Sequence, residues 1–152
     1  MHERSPLEEA VPKIYRAMRR ADDGKPTVDA TGKGLGVRGT PVNAIVDVDL
    51  DAQGNVVLNG KGMSVGPAWR ELPYFLVSKR LKSKFPAARG AADLFCFTMG
   101  DGPFRDEKIA PGLALKVDSP KHGSVVPQQR VSLQQFQADL AGTRDSWIVD
   151  EV

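Results

Sequence analysis

Cysteine, histidine and long hydrophobic runs are scarce in this chain. Its 152 residues include one cysteine and two histidines. The single cysteine, Cys96, excludes an intrachain disulfide, and its apolar neighbours favour a small buried side chain over a catalytic thiol. Without a Cys/His cluster, we expect no zinc site and no other metal ligands.

Targeting signals are also lacking. No apolar run approaches the roughly 20 residues that cross a bilayer, and the start of the chain has no apolar signal region. We therefore expect no membrane contact and a cytoplasmic location. The alternative is a protein that reaches the cytoplasm of another cell by a route that needs no cleaved signal peptide.

The net charge is small, at +2, which by itself does not indicate nucleic-acid binding. Five basic residues nevertheless lie close together, namely Lys79, Arg80, Lys82, Lys84 and Arg89. They fit either the solvated face of a helix or a patch that binds phosphates or an acidic partner.

The length fits one domain, residues 1–152, with one core. Fifteen glycines and eleven prolines predict short strands and many loops. Apolar patterns predict strands over 14–18, 43–50, 55–58, 63–65, 94–99, 112–117, 124–127 and 147–149. Because only a few short helices are unevenly interspersed, we expect an α+β fold rather than a doubly wound one.

Two helices are predicted. Residues 74–81 space their apolar side chains as one helix face does. A second helix starts at Ser132, which forms a capping box with Gln135, and Gly142 follows its end.

Two short motifs fail as ligand-binding signatures. The glycine-rich stretch 32–39 neither follows a strand nor opens a helix, so it is not a dinucleotide fingerprint or a Walker loop. It is either a flexible loop or a loop that brings Arg38 to an anionic pyrophosphate. The aspartates of 47–51 resemble a calcium loop, but Ala52 and Leu58 occupy its glycine and acidic positions.

Ser64 and His122 are the remaining candidates for chemistry. Ser64 lacks a Gly-x-Ser-x-Gly surround, so it is more suited to orienting a ligand than to attacking one. His122 is either a solvated loop histidine or a group that bonds a ribose hydroxyl or acts as a base. We expect the segments 34–39, 62–65 and 122–127 to meet around a cleft for a dinucleotide with a scissile glycosidic bond.

Several ordered segments resemble one toxin family. The segments 62–65, 72–73, 121–127 and 132–140, with Tyr15–Ala17 and Leu35–Arg38, resemble the NAD-dependent, Tse-type ADP-ribosyltransferase-like cytotoxins of type VI secretion. The resemblance spans Tyr15 to Leu140. It implies an ADP-ribosyltransferase-like split β-sandwich, in which two facing antiparallel sheets and a few short helices surround an NAD cleft.

The resemblance also implies roles for individual residues. It makes Arg38, Ser64 and His122 the catalytic candidates. It assigns cofactor binding to Tyr15, Arg16, Gly62, Met63, Trp69 and Gln128. One departure is that no glutamate lies between Glu107 and Glu151, where many ADP-ribosyltransferases supply one. Gln128 and Gln129 offer amides instead, which can hydrogen-bond but carry no negative charge.

The function that the resemblance implies is that of a bacterial toxin. It would bind NAD, transfer ADP-ribose to an intracellular protein or nucleic acid or hydrolyse NAD, and need an antitoxin or immunity protein. A catalytically inactive module of the same fold, which acts by binding a partner, is the alternative. An RNA-directed phosphotransferase ranks last, because two histidines are too few for that chemistry.

Overall fold

The computed structural model of the chain describes residues 11–28, 34–39, 47–68, 72, 93–97 and 102–149. For residues 93–97 and 149 it describes the backbone only. Four sequence predictions lie outside this description: the burial of the Cys96 side chain, the role of Trp69, the helix at 74–81 and the basic cluster at 79–89.

Seven strands and one α-helix are present in the described ranges. The strands are β1 (Tyr15–Met18), β2 (Met63–Val65), β3 (Asp93–Phe97), β4 (Glu107–Ala110), β5 (Leu113–Ser119), β6 (His122–Pro127) and β7 (Trp147–Val149). The helix α1 (Leu133–Ala141) precedes a 3-10 turn at Arg144–Ser146. The strands form two antiparallel sheets, ordered β1-β3-β7 and β2-β6-β5-β4. This sheet-rich α+β architecture confirms the predicted class.

The β5–β6 hairpin is the centre of the larger sheet. Alternating side chains place Leu113 and Leu115 in the core, and Leu115 pairs with the buried Val125 of β6. The turn before β5 needs Gly112, whose φ of 77° lies in the left-handed region. The hairpin therefore presents one apolar and one polar face.

The two sheets meet where β1 passes the end of β2. Tyr15 N–H donates to the Gly66 carbonyl at 2.8 Å, and Gly66 N–H donates back at 2.9 Å. One hydrophobic cluster joins side chains from both sheets and from α1, including Met18, Val65, Leu113, Phe136 and Trp147. The sheets thus cover a common core.

Helix α1 begins and ends where the sequence predicts. The Ser132 side chain accepts a hydrogen bond from Gln135 N–H at 3.0 Å. The Gln135 side-chain NH2 donates to the Asp139 carboxylate one turn further along the helix, at 2.8 Å. Phe136 and Leu140 are buried, which anchors the helix to the core.

The described part of the predicted hairpin over 43–58 contains its turn and one antiparallel bridge, Leu50 to Val56, but not two full strands. The turn at 51–54 is present, and the Asp51 carboxylate accepts from two backbone N–H groups within it. Backbone hydrogen bonds flank this bridge, since Asp51 N–H donates to the Asn55 carbonyl and Val57 N–H to the Asp49 carbonyl. Val56 N–H donates instead to the Val131 carbonyl, which joins the turn to the segment before α1. Strand β4 was not predicted, since it buries only Ile109.

Candidate functional site

The outward face of the larger sheet holds a row of polar residues. Ser64 on β2 is paired with Ser124 on β6, which is paired in turn with Lys116 on β5. Strand alternation directs these side chains to the face opposite Val65, Val125 and Leu115, which lie in the core. Ser124 is nevertheless buried, at 6% exposure, whereas Ser64 is exposed. His122, two residues before Ser124, lies on the same side of β6. We call Ser64, Ser124, Lys116 and His122 the polar face.

A groove of about 250 Å³ continues from the polar face. Its lining combines apolar and polar groups: Val57, Leu58, Gly60, Lys61, Lys116, Val126, Pro127 and Gln128. The volume is below the roughly 300–1,000 Å³ of pockets that enclose a drug-sized ligand. A larger ligand would therefore occupy the groove with one part and extend along the polar face with the rest.

Both lysines of the groove are paired with carboxylates. Lys61 Nζ lies 3.0 Å from Asp49, and Lys116 Nζ lies 3.1 Å from Asp106. The hydrogen bond from Lys61 lowers the pKa of Asp49, with help from Asn59. An ammonium has three N–H donors, so each lysine can hold its carboxylate and still donate to a ligand oxygen.

Arg16 lies beneath the polar face and is only 7% exposed. Its Nη1 donates to the Ser64 carbonyl at 2.8 Å, while Nε and Nη2 both donate to the Gly34 carbonyl at 3.2 Å. The guanidinium thus fixes β2 and the 34–39 loop to β1. This contact holds the Ser64 backbone in place from the side opposite β6.

Arg38 is held by an ion pair with Asp47. Its Nε and Nη2 each donate to the Asp47 carboxylate at 3.0 Å, and its backbone N–H donates at 2.6 Å. These hydrogen bonds raise the pKa of Arg38 above its usual value. Because the Arg38 guanidinium already binds a carboxylate, a pyrophosphate at Arg38 would have to compete with Asp47.

His122 is held by Asp118. Its Nδ1 lies 2.8 and 2.9 Å from the two carboxylate oxygens, across the turn between β5 and β6. A carboxylate only accepts hydrogen bonds, so Nδ1–H is the donor in this contact, and in a neutral ring the lone pair is then on Nε2. The side chains of His122 and Asp118 are 44% and 61% exposed. This pair is open to solvent.

The structure brings some of the predicted residues together and separates others. Ser64 and His122 share the polar face, Gln128 lines the adjoining groove, and Arg16 contacts the Ser64 backbone. Four others do not reach this surface with a free group: Tyr15 and Met63 are buried, Gly62 packs on the β6 backbone, and Arg38 holds Asp47.

No family model matches the chain, and no curated protein is significantly similar to it. Within the described ranges, no three His, Cys, Asp or Glu side chains cluster as metal ligands would. In the same part of the chain, no helix is long and apolar enough to cross a membrane.

Four residues of the site were not predicted: Lys61, Lys116, Asp118 and Ser124. Lys116 had a usable signal, because the alternation of Leu113, Leu115 and Val117 places position 116 on the other face of the strand. Pairing with Ser124 and Ser64 depends on register between strands, which the local sequence does not specify.

Proposed function

We propose that the protein is an NAD-dependent, ADP-ribosyltransferase-like bacterial toxin that binds NAD on the polar face and in its groove. The sequence resemblance from Tyr15 to Leu140 supports this function. Two antiparallel sheets that share a core and touch at Tyr15 and Gly66 are compatible with the split β-sandwich of that family.

The observation on which the proposal chiefly depends is the joint placement of Ser64 and His122. These residues come from distant segments, yet both lie on one face of the same sheet, where both side chains are exposed. Arg16 fixes the strand that bears Ser64, and Asp118 fixes the imidazole. Groups held in this way need no reorganisation when a substrate binds.

Each group of the site suits a part of NAD as substrate. Lys61 and Lys116 supply ammonium donors for the pyrophosphate. Ser64 hydrogen-bonds a ribose hydroxyl, and the Gln128 amide serves the polar edge of nicotinamide or adenine. His122 accepts a proton at Nε2. Bond cleavage then releases nicotinamide, and ADP-ribose passes to water or to a group on the target.

Release of nicotinamide from NAD by the purified protein tests this function. We expect turnover by the wild type, with large losses for Ser64→Ala and His122→Ala. Lys116→Ala raises the KM for NAD, whereas Lys108→Ala on the neighbouring strand β4 serves as a matched control, because Lys108 is exposed outside the groove. If Ser64→Ala and His122→Ala are as toxic on expression as wild type, their assigned roles are wrong.

Labelled NAD added with a cell lysate identifies the target. A labelled protein or nucleic acid indicates a transferase, and free ADP-ribose alone indicates a glycohydrolase. A toxin of this kind needs a neutralising antitoxin or immunity protein in the producing cell. We propose that such a partner covers the polar face, so its binding should abolish NAD turnover.

A catalytically inactive module that binds a partner is the second candidate. Two observations favour it: Arg38 holds Asp47, and Glu107, the one glutamate in the described residues, lies two strands away from β6. Within the described residues, no glutamate therefore lies on β6 or next to Gln128 in the chain. A folded protein without nicotinamide release, which still binds its partner, would favour this module.

A further inference from the structure

We infer that Asp118 is a positioning residue that makes His122 the base for a water molecule, so that the reaction at the polar face is hydrolysis of NAD. This role rests on the proposed function. It adds Asp118 to the residues of the site and names water as the acceptor of ADP-ribose. The starting observation is the pair of contacts, 2.8 and 2.9 Å, between the Asp118 carboxylate and His122 Nδ1.

The hydrogen bond determines which ring nitrogen is basic. With Nδ1–H donated to Asp118, the lone pair of the neutral imidazole is on Nε2. Asp118 and His122 are four residues apart across a tight turn, so the rigid hairpin sets their geometry without help from another segment.

Exposure identifies the acceptor. His122 is 44% and Asp118 61% exposed, and Ser64 is also exposed. A site that transfers a group to a macromolecule must exclude water, which would otherwise react first. Because the His122 side chain is itself accessible to solvent, water is the nucleophile that we expect it to activate.

The bond changes balance with these groups alone. The water oxygen forms a bond to the ribose C1′, while the bond from C1′ to the nicotinamide nitrogen breaks. The electron pair of the broken bond leaves with neutral nicotinamide. One proton of the water moves to His122 Nε2 and then to solvent, which leaves free ADP-ribose.

Imidazole 15N chemical shifts test the positioning step without any activity. The chain has two histidines, so His122→Ala assigns both signals, and His2 is an internal reference. At alkaline pH we expect the Nδ1–H tautomer at His122 in wild type and a shift toward the Nε2–H tautomer in Asp118→Ala. Asp22→Ala, an exposed aspartate on the loop after β1, is the charge-matched control and should change nothing.

NAD hydrolysis tests the catalytic step. We expect His122→Ala to lower kcat by about 10²–10⁴-fold, the usual contribution of a general base. Asp118→Ala should lower kcat less, with KM nearly unchanged, and free ADP-ribose should be the product. Asp22→Ala should match wild type.

The outcomes distinguish the positioning role of Asp118 from the proposed NAD-dependent function. An unchanged His122 tautomer in Asp118→Ala, or full kcat in that variant, overturns the positioning role and leaves the proposed function intact. ADP-ribose attached to a macromolecule, with none released, overturns water as acceptor. No turnover by wild type overturns the proposed function and the base role together, even if the tautomer is as expected.

Discussion

Replacement of Arg16 by methionine should destabilise the fold severely. Methionine keeps much of the apolar stem of arginine but removes its donors to the Ser64 and Gly34 carbonyls. A buried acceptor left without a partner costs about 1–3 kcal/mol. The Gly34 contact is buried and the Ser64 contact only partly buried, so we expect a loss of about 1–3 kcal/mol at Gly34 and a smaller one at Ser64. A typical domain is stabilised by roughly 5–15 kcal/mol in total.

Urea unfolding followed by circular dichroism measures this loss. Arg16→Lys should lose less than Arg16→Met, because one ammonium can still reach one of the carbonyls. Arg19→Met is the matched control. Arg19 follows the same strand but is exposed, so its change should stay within about 0.5 kcal/mol.

The result also separates two roles for Arg16. If its guanidinium serves only to bind pyrophosphate, Arg16→Met should unfold like wild type and lose NAD binding alone. Stability of Arg16→Met within about 0.5 kcal/mol of wild type would refute the backbone role that the hydrogen bonds indicate.

Three further changes should affect stability through single contacts. Ser132→Ala removes the cap of α1 and should cost about 1 kcal/mol in urea unfolding. Gly62→Ala places a Cβ 2.1 Å from a β6 carbonyl. This overpacking should lower the free energy of unfolding by about 1–3 kcal/mol or more, and the Tm should fall with it. Asp106→Asn should lower the free energy of unfolding at neutral pH. The further decrease on acidification should be smaller than in wild type, as measured by unfolding across a range of pH.

The sign of the Asp106 effect follows from its pKa. A backbone N–H of β5 and then Lys116 lower that pKa in the fold. The carboxylate therefore stabilises the protein above its unfolded pKa, and this contribution is lost as pH falls through the folded value. If the stability of Asp106→Asn falls as steeply with acidification as that of wild type, the assigned contribution of the Asp106 carboxylate is wrong.

Gly142→Ala is the control for Gly62→Ala. At Gly142 a Cβ would lie 3.4 Å from its nearest neighbour and φ is −64°, so alanine should be tolerated. Equal losses in both variants would show that the close approach of β2 and β6 is not what Gly62 provides. For Ser132→Ala, an unchanged midpoint of urea unfolding would contradict a stabilising role for the Ser132 side chain as the cap of α1.

Elements with strong local signals could be predicted from sequence. Helix α1 has its cap at Ser132 and apolar residues on one face, and both features act within a few residues. Strand β5 alternates at Leu113, Leu115 and Val117, and strand β6 has the β-branched pair Val125–Val126. The weak strand β4 could not be predicted, because its place depends on pairing with β5 and not on its own composition.

The candidate site was predictable only in part. Ser64 and His122 stood out as polar residues in β-rich segments, but their shared face depends on the pairing of β2 with β6. The availability of the arginines was not predictable, because the partners of Arg16 and Arg38 are set by tertiary contacts. An isolated guanidinium in a sequence does not show whether a ligand or the protein itself will bind it.

Titration of 15N-labelled protein with NAD, followed by amide chemical shifts, tests the central claim most directly. We expect the shifts to concentrate at Ser64, Lys116, His122 and Gln128, with no change at Lys108 on β4. Absence of shifts at millimolar NAD, or shifts confined to residues away from the polar face and its groove, would contradict NAD binding at this site.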